Sequence, residues 1–216
     1  MLIEGPNCLG LVNYIDAIPL TFVVSPIQKL TTPNGIAIVS QSGAIAAVLG
    51  VSLRSRALGI SFSVSTGNEA AAGVEDFVAY MLDDPNIRVI AMIVEHFRHP
   101  RRFLEVARLA RAANKRIVLL HPGSSSAARA AAATHTGAMV GDYNIMRTLV
   151  AHAGVLLVDT LEELIDVADI LIRCTALPTG GAAVFTESGA FKALTLDLGE
   201  SLSAPTTERP GPSSAP

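Results

Sequence analysis

The sequence is poor in cysteine, in charged residues and in long apolar runs, and each shortage excludes a class of protein. Its two cysteines, Cys8 and Cys174, lie far apart and give neither a disulfide framework nor a metal-binding spacing, which indicates a reducing compartment. The net charge of −3 and the lack of a basic run argue against a nucleic-acid partner. No apolar run approaches membrane-spanning length, and the start MLIEGPN lacks the basic region of a signal peptide. We expect a cytoplasmic protein with no nucleic-acid or membrane partner.

Short apolar runs alternate with helical patterns through the middle of the chain. The apolar runs lie at 36–40, 60–65, 89–94, 116–120 and 155–158. The helical patterns lie at 43–55, 74–82, 101–113, 142–153 and 160–171. Strands that are apolar on both faces and are separated by helices predict a parallel sheet covered on both sides. We therefore predict an α/β fold with a flavodoxin-like, doubly wound, five-stranded parallel sheet in the order 2-1-3-4-5.

The segments on either side of this predicted domain, residues 35–175, look like pieces of neighbouring domains. Residues 1–34 contain a Gly-Pro-Asn turn and further prolines, and we interpret them as the tail of a preceding domain followed by an irregular linker at 14–34. VFTESGAFKAL at 184–194 is similar to IVSQSGAIAAV at 38–48, so residues 176–200 are predicted to start a second flavodoxin-like domain with a strand and a helix. Residues 201–216 are rich in Pro and Ser, which predicts a disordered tail.

A histidine between two threonines is the strongest chemical candidate in the chain. His135 lies in AAATHTG at 131–137, and the residues before it are too small to bury it locally. A neutral imidazole is a good nucleophile near pH 7 when one ring nitrogen is free and the other donates to an acceptor. A loop histidine without a function is the plainer interpretation of the residue alone. Convergence with other polar residues favours the functional interpretation.

Polar residues follow four of the predicted strands, at 40–43, 66–68, 95 and 121–123. Ligands of open parallel sheets bind beyond the carboxyl ends of the strands, so these residues are expected at one edge. Ser42 and Gly43 at a helix start offer backbone N–H groups to a phosphate, although a plain N-cap by Ser42 explains the pattern equally well. Glu95 is either a solvated carboxylate or the acceptor that fixes the tautomer of His135. Residues 66–68 alone predict no more than a turn.

With these motifs in view, the sequence resembles the nucleoside-diphosphate-forming (NDP-forming) acyl-CoA synthetases, which include the succinyl-CoA synthetase alpha subunit and ADP-forming acetate–CoA ligase. The matching segments, in the family's order, are GPNCLGLVN at 5–13, IAIVSQSGA at 36–44, STGNEA at 65–70, Glu95, and AAATHTGAMVGD at 131–142. The resemblance implies that acid, CoA and nucleoside triphosphate interconvert with acyl-CoA, nucleoside diphosphate and phosphate. It also implies that the phosphoryl group passes through a histidine.

The resemblance assigns roles to individual residues of this sequence. It implies that His135 is the phosphorylated histidine and that Glu95 is the carboxylate that orients it. The residues implied at the phosphate are Ser42, Gly43 and Gly137, and those implied near CoA and the substrate are Asn7, Cys8, Gly67 and Asn68. No metal ligand is expected in this chain. Ala71 stands where the family commonly has aspartate and His121 where it commonly has lysine, which leaves the substrate class open.

The resemblance also implies partners and cofactors. Residues 1–34 are then the tail of a CoA-binding Rossmann domain, and an ATP-grasp nucleotide-binding subunit or domain completes the enzyme. The complete enzyme is expected to use CoA, ATP or ADP with Mg, and a small carboxylic acid. This chain alone is expected to bind none of them tightly and to be inactive, and a homo-oligomer is compatible with the sequence.

Two other functions stay open at this point. The first is a non-catalytic, CoA-ligase-like module with a regulatory or interaction role; the pairing of His135 with Glu95 favours the enzyme over it. The second is a flavodoxin-type electron carrier. The strand-end loops contain no aromatic residue to stack on a flavin, and Phe97 is the nearest, so the sequence disfavours the electron carrier.

Overall fold

Seven strands form one mixed sheet in the computed structural model, which describes residues 3–23, 27–125, 127–128, 143–174, 176 and 183–202. The strands are β1 (Gly10–Asn13), β2 (Ile18–Thr21), β3 (Gly35–Ser40), β4 (Ile60–Ser65), β5 (Ile87–Ile93), β6 (Arg116–Leu120) and β7 (Leu156–Val158). The helices are α1 (Gly43–Ser55), α2 (Val74–Met81), α3 (Pro100–Ala112), α4 (Tyr143–His152), α5 (Leu161–Arg173) and α6 (Gly189–Ser201). The chain divides into two units, Met1–Thr175 and Ala176–Pro216, and α6 belongs to the second.

The five parallel strands have the predicted arrangement. They run in the order β4-β3-β5-β6-β7, which is the order 2-1-3-4-5 expected from the sequence. Every residue of β3 is buried, because Ile36 and Ile38 enter the core on one face while Ala37 and Val39 enter the core on the other. Helices α1 and α5 cover the first face, and α2, α3 and α4 cover the second. Burial on both faces explains why these strands appear as continuous apolar runs.

The N-terminal segment differs from the sequence expectation, because a hairpin replaces part of the irregular linker. Strand β1 pairs antiparallel with β4, and β2 pairs antiparallel with β1, which extends the sheet beyond its parallel strands. The Asn13 side chain organises the turn: its Oδ1 accepts from the N–H groups of Ile15 at 2.9 Å and Asp16 at 3.1 Å. The origin of residues 1–34 in a preceding domain, like the other domain boundaries, stays a prediction.

Helix α6 of the second unit begins as α1 does. Ser188 caps α6 by accepting from the Phe191 N–H at 3.3 Å, and Ser42 caps α1 by accepting from the Ile45 N–H at 3.4 Å. The strand predicted before α6 is not formed in the described residues 183–188. The described part of the chain contains no helix long and apolar enough to cross a membrane.

Candidate active site

A crevice of about 610 Å³ lies beyond the carboxyl ends of β3, β4 and β5. The residues that line it follow those three strands or flank the hairpin: Asn7, Cys8, Leu9, Phe22, Gln41, Ser42, Gly43, Ala44, Gly67, Asn68, Glu95, His96 and Arg98. Parallel strands bring their carboxyl ends to one edge, and the crevice lies between β3 and its neighbours, where the strand order reverses. Ser42, Asn68 and Glu95 line this crevice together, as the sequence predicts, whereas the His135 loop predicted above it lies outside the described residues. The chemical roles of these residues stay predictions.

The start of α1 gives the crevice an anion-attracting wall. The N-cap Ser42 satisfies the Ile45 N–H, and the Ala46 N–H bonds to the Ser42 carbonyl at 3.0 Å. Gly43 and Ala44 are the first two residues of α1, and the helix itself offers no acceptor to the N–H groups at its start. Free N–H groups at a helix start and the positive end of the helix dipole together favour a bound anion. Ser42 therefore caps α1, as one of the two sequence interpretations has it, while its role at a phosphate stays a prediction.

The Gln41 side chain binds the backbone of Glu95 and His96, two residues that line the crevice. Its Oε1 accepts hydrogen bonds from the backbone N–H groups of Glu95 at 2.7 Å and His96 at 3.0 Å. Its Nε2 donates to the carbonyl oxygen of His96 at 2.6 Å. One side chain thus engages three backbone groups directly after β5. The sequence does not predict this role of Gln41, because nothing in the motif Gln-Ser-Gly shows which backbone groups the amide reaches.

The floor of the crevice is built from two loops in close contact. The N–H of Asn68 donates to the Pro6 carbonyl at 2.9 Å, and the Asn7 side-chain amide donates to Asn68 Oδ1 at 3.3 Å. From the third loop, Arg98 Nη2 donates to the carbonyl oxygen of Asn68 at 2.7 Å. This hydrogen bond keeps an exposed guanidinium at the rim of the crevice. Arg98 was also missed, since a single arginine after a strand end carries no sequence signal.

The histidines occupy different places. His96 is half-buried in the crevice wall, and burial, followed by the nearby Arg98 charge, lowers the pKa of its imidazole. His121, expected at the same edge, does not line the crevice; its ring stacks between Phe97 and Tyr143, at centroid distances of 6.1 and 5.4 Å. His135 and Gly137, the residues of the predicted phosphohistidine loop, lie outside the described residues.

Two acidic residues that the sequence analysis did not single out lie in the loop and helix after β4. Glu69 is 1% exposed and Glu75 is fully buried. Thr66 Oγ1 donates to Glu69 Oε1 at 2.7 Å, while Glu69 Oε2 and both Glu75 carboxylate oxygens have no hydrogen-bond partner in the described part of the chain. Burial raises the pKa of Glu69, and the hydrogen bond from Thr66 opposes this rise. Among the described residues, no group of acidic, histidine and cysteine side chains has the arrangement of a metal site.

The fold is a doubly wound α/β domain with a crevice at its topological switch point. The family described as the succinyl-CoA ligase like flavodoxin domain matches residues 33–171, and the chain belongs to this family. The resemblance stated from the sequence motifs is therefore confirmed.

The relatives of this chain are acid–CoA ligases. A trans-feruloyl-CoA synthase from an unidentified prokaryote is 54% identical over 205 residues, which cover 94% of this chain and 29% of that protein. The alpha subunit of an ADP-forming acetate–CoA ligase II from Pyrococcus furiosus is 31% identical over 198 residues, 91% of this chain and 42% of that subunit. Among solved structures, an acetyl-coenzyme A synthetase from Ca. Korarchaeum cryptofilum in complex with phosphate and ADP is 27% identical, with a TM-score of 0.82; the match covers 97% of this chain and 45% of that one. The chain spans less than half the length of each.

Proposed function

We propose that this chain is the phosphohistidine-carrying part of an NDP-forming acyl-CoA synthetase, completed by a CoA-binding domain and an ATP-grasp nucleotide-binding domain or subunit. In the direction of acyl-CoA synthesis, an imidazole nitrogen of His135 attacks the γ-phosphorus of the nucleoside triphosphate, and the nucleoside diphosphate leaves. The carboxylate of the acid then attacks the same phosphorus, which breaks the N–P bond and forms an acyl phosphate. Finally the CoA thiolate displaces phosphate from the acyl carbon.

One observation carries this proposal: the start of α1 lines the same crevice as Glu95 in a chain of this ligase family. Phosphoryl transfer depends on positioning and on stabilising charge on the phosphoryl oxygens. The helix start supplies that stabilisation, and the Arg98 guanidinium at the rim adds a positive charge. Glu95 is the carboxylate that receives the second N–H of the His135 ring, which fixes the tautomer and raises the basicity of the attacking nitrogen. Asn7, Cys8, Gly67 and Asn68 line the same crevice, and the proposal assigns them to CoA and the substrate.

The first acid to test is an aromatic one. The relative with 54% identity is a trans-feruloyl-CoA synthase, whereas the relatives named for acetate are less similar to this chain. Phe22, which is largely exposed, adds an aromatic surface to the crevice. Aromatic side chains bind aromatic acyl groups through apolar contact and stacking. Ferulate and acetate, compared under the same conditions, separate the two classes of acid.

The proposal is tested by transfer of labelled phosphate from ATP in the presence of the partner domains. The wild-type chain is expected to gain an acid-labile label, and Glu95→Gln is expected to slow labelling about 10²-fold or more, because the amide keeps an acceptor but removes the charge. Thermal melting is the control for folding, and Glu105→Gln, at an exposed site on α3, is the matched charge control. Absence of label on a folded wild-type chain would favour the non-catalytic module instead.

A further inference from the structure

A second cleft lies at the amino end of β4, at the edge of the sheet opposite the crevice. It has a volume of about 220 Å³ and lies between the segment 28–32, the end of α1 and the start of β4. The residues that line it with polar side chains are Tyr14, Gln28, Lys29, Thr31, Thr32 and Arg54. No aspartate or glutamate of the described residues lines it. The cleft therefore combines two positive charges with hydroxyl and amide groups and has no acidic side chain.

Arg54 is held at this cleft by a buried tyrosine. Its Nη2 donates to the Tyr14 hydroxyl oxygen at 2.6 Å, and its guanidinium carbon lies 5.0 Å from the centre of the Tyr14 ring. Tyr14 is 7% exposed and packs in an apolar core, so it gives Arg54 a rigid support. A guanidinium has several N–H donors, and the tyrosine hydroxyl accepts from only one nitrogen. The side chain is thus positioned in advance, which lowers the entropy cost of binding a ligand.

The segment that carries Lys29 is fixed against the rest of the cleft. The Leu30 N–H donates to the Tyr14 carbonyl oxygen at 2.8 Å. A Cβ atom added at Gly59 would lie 2.7 Å from Leu30 Cδ1 and 3.1 Å from Thr32 Oγ1, so the segment passes directly over this glycine. This wall of the cleft is therefore formed by direct packing.

The two positive charges of the cleft lack a negative partner. Within the part of the chain that the structure describes, neither Arg54 nor Lys29 forms an ion pair. Two cations that line one cleft repel each other. An anion bound there would remove this repulsion and would gain charge-assisted hydrogen bonds.

We propose that this cleft is a second anion-binding site, which takes a phosphate group. The N–H groups of Arg54 that the tyrosine leaves free bind the phosphate oxygens, and Lys29 with the hydroxyls of Thr31 and Thr32 supplies further contacts. The volume is below the roughly 300–1,000 Å³ of sites for drug-sized ligands, which favours a small anion over a whole nucleotide. The site lies outside the reaction crevice and does not rest on the proposed function.

A titration of the full chain with inorganic phosphate, followed by amide NMR, tests the site residue by residue. At constant ionic strength, phosphate is expected to shift the amide signals of Thr31, Thr32 and Gly59 along one saturable curve. The signals of Gly43 and Ala44 report phosphate at the crevice separately. Absence of a saturable shift at the three cleft residues would overturn the proposal, whatever happens at the crevice.

Variants of the arginine and of its support test how the anion is held. Arg54→Met is expected to weaken phosphate binding about tenfold or more, because charge-assisted hydrogen bonds are lost. Tyr14→Phe keeps the ring and every charge but loses the hydroxyl, and it is expected to weaken binding about threefold. Arg56→Met is the matched control, since Arg56 is exposed, does not line the cleft and pairs with Asp166 at 2.5 Å. Equal weakening by Arg56→Met would overturn the proposal, because phosphate would then respond only to net charge.

Melting temperatures are the control for folding of each variant. If Arg54→Met fails to fold, Lys29→Met decides together with Tyr14→Phe, because Lys29 is exposed. Lys29→Met is expected to weaken binding about threefold, and unchanged binding in both variants would overturn the proposal.

A titration with methyl phosphate separates two sources of the phosphate group. Binding as tight as that of inorganic phosphate supports a site for the phosphate end of a larger molecule. Much weaker binding of methyl phosphate supports a site for free phosphate. Binding of neither ion at the cleft would overturn the proposal.

Discussion

At the scale of single residues, the floor of the crevice depends on a glycine. Gly67 has φ of +61°, and a Cβ atom added there would lie 2.4 Å from the Pro6 carbonyl oxygen and 2.5 Å from that of Asn7. Both contacts are far shorter than van der Waals distance, and backbone atoms cannot swing away as a flexible side chain can. The close approach of the 5–9 segment to the turn after β4 therefore requires glycine.

We predict that Gly67→Ala destabilises the chain by about 2 kcal/mol or more, because the backbone must shift and adopt a strained φ. Urea denaturation measures the change in the free energy of unfolding. Gly189→Ala is the control: a Cβ at Gly189 meets no atom within 4 Å, so the change is expected within about 0.5 kcal/mol. Equal stability of Gly67→Ala and the wild type would show that the two loops do not pack as described.

At His121, the surroundings lower the pKa of the imidazole, which has a testable effect on stability. Its Nδ1 lies 2.5 Å from the Val94 carbonyl oxygen, and burial is the largest cause that lowers the pKa of its ring. Positive charge on Arg147 and proximity to His96 lower this pKa further, while the bond to Val94 raises it. The folded state therefore favours the neutral imidazole more strongly than the unfolded state does.

This shift predicts a loss of stability in mild acid that depends on His121. Above the unfolded-state pKa of about 6.5 the imidazole is neutral in both states, and the stability is complete. As the pH falls below that value, the unfolded state binds the proton first and the free energy of unfolding decreases. Urea denaturation between pH 7.5 and 5 is expected to show a smaller decrease for His121→Phe than for the wild type. Identical decreases in the two proteins would contradict the assignment.

At the scale of helices and strands, the buried parallel strands could be predicted because their signal is local and repeated. The run IAIVS predicts β3 because both faces of that strand enter apolar cores. The β1–β2 hairpin escaped prediction because it extends the sheet on its β4 side, where most residues of β2 are exposed and no apolar pattern develops. The turn at Asn13 depends on hydrogen bonds from the Ile15 and Asp16 N–H groups to the Asn13 side chain, and these bonds form only in the folded chain.

The candidate site was predictable only as far as topology determines it. The sequence brings Ser42 and Glu95 together because the residues after neighbouring parallel strands share one edge of the sheet. The contacts of Gln41, Glu69 and Arg98 depend on loop conformations that no periodicity encodes. The start of α5 shows the same limit, because the Glu163 carboxylate accepts from the N–H of Asp159 while Thr160 Oγ1 accepts from the Glu163 N–H.

The start of α1 gives a prediction for a single helix. Ser42→Ala is expected to destabilise the chain by about 1 kcal/mol, and Ser42→Gly by a few tenths of a kcal/mol, because the cap of the Ile45 N–H is lost. Thr160→Ala, which removes the corresponding cap of α5 away from the crevice, is the control for the size of the effect. Chemical denaturation measures all three. A Ser42→Ala variant as stable as the wild type would contradict a capping role.

At the scale of the whole molecule, the chain corresponds to only part of each relative. It spans 29% of its feruloyl-CoA synthase relative and 42% of an acetate–CoA ligase alpha subunit. The proposal assigns the sites for nucleoside triphosphate and CoA to other domains. Because NTP and CoA sites are needed for the proposed sequence of steps, the 216-residue chain alone is expected to form no acyl-CoA. Formation of acyl-CoA by the chain alone would contradict the assignment of the NTP and CoA sites to other domains.

The most direct measurement locates the phosphate on the chain. The wild type, His135→Ala and His96→Ala are each incubated with ATP and the partner domains, and phosphorylated peptides are identified at neutral pH by mass spectrometry. His96 is the matched control, because it is the histidine that the structure places in the crevice wall. The account predicts phosphate on His135 in the wild type and in His96→Ala, and none in His135→Ala with an unchanged melting temperature. Undiminished phosphorylation of His135→Ala, or phosphate on His96, would contradict it.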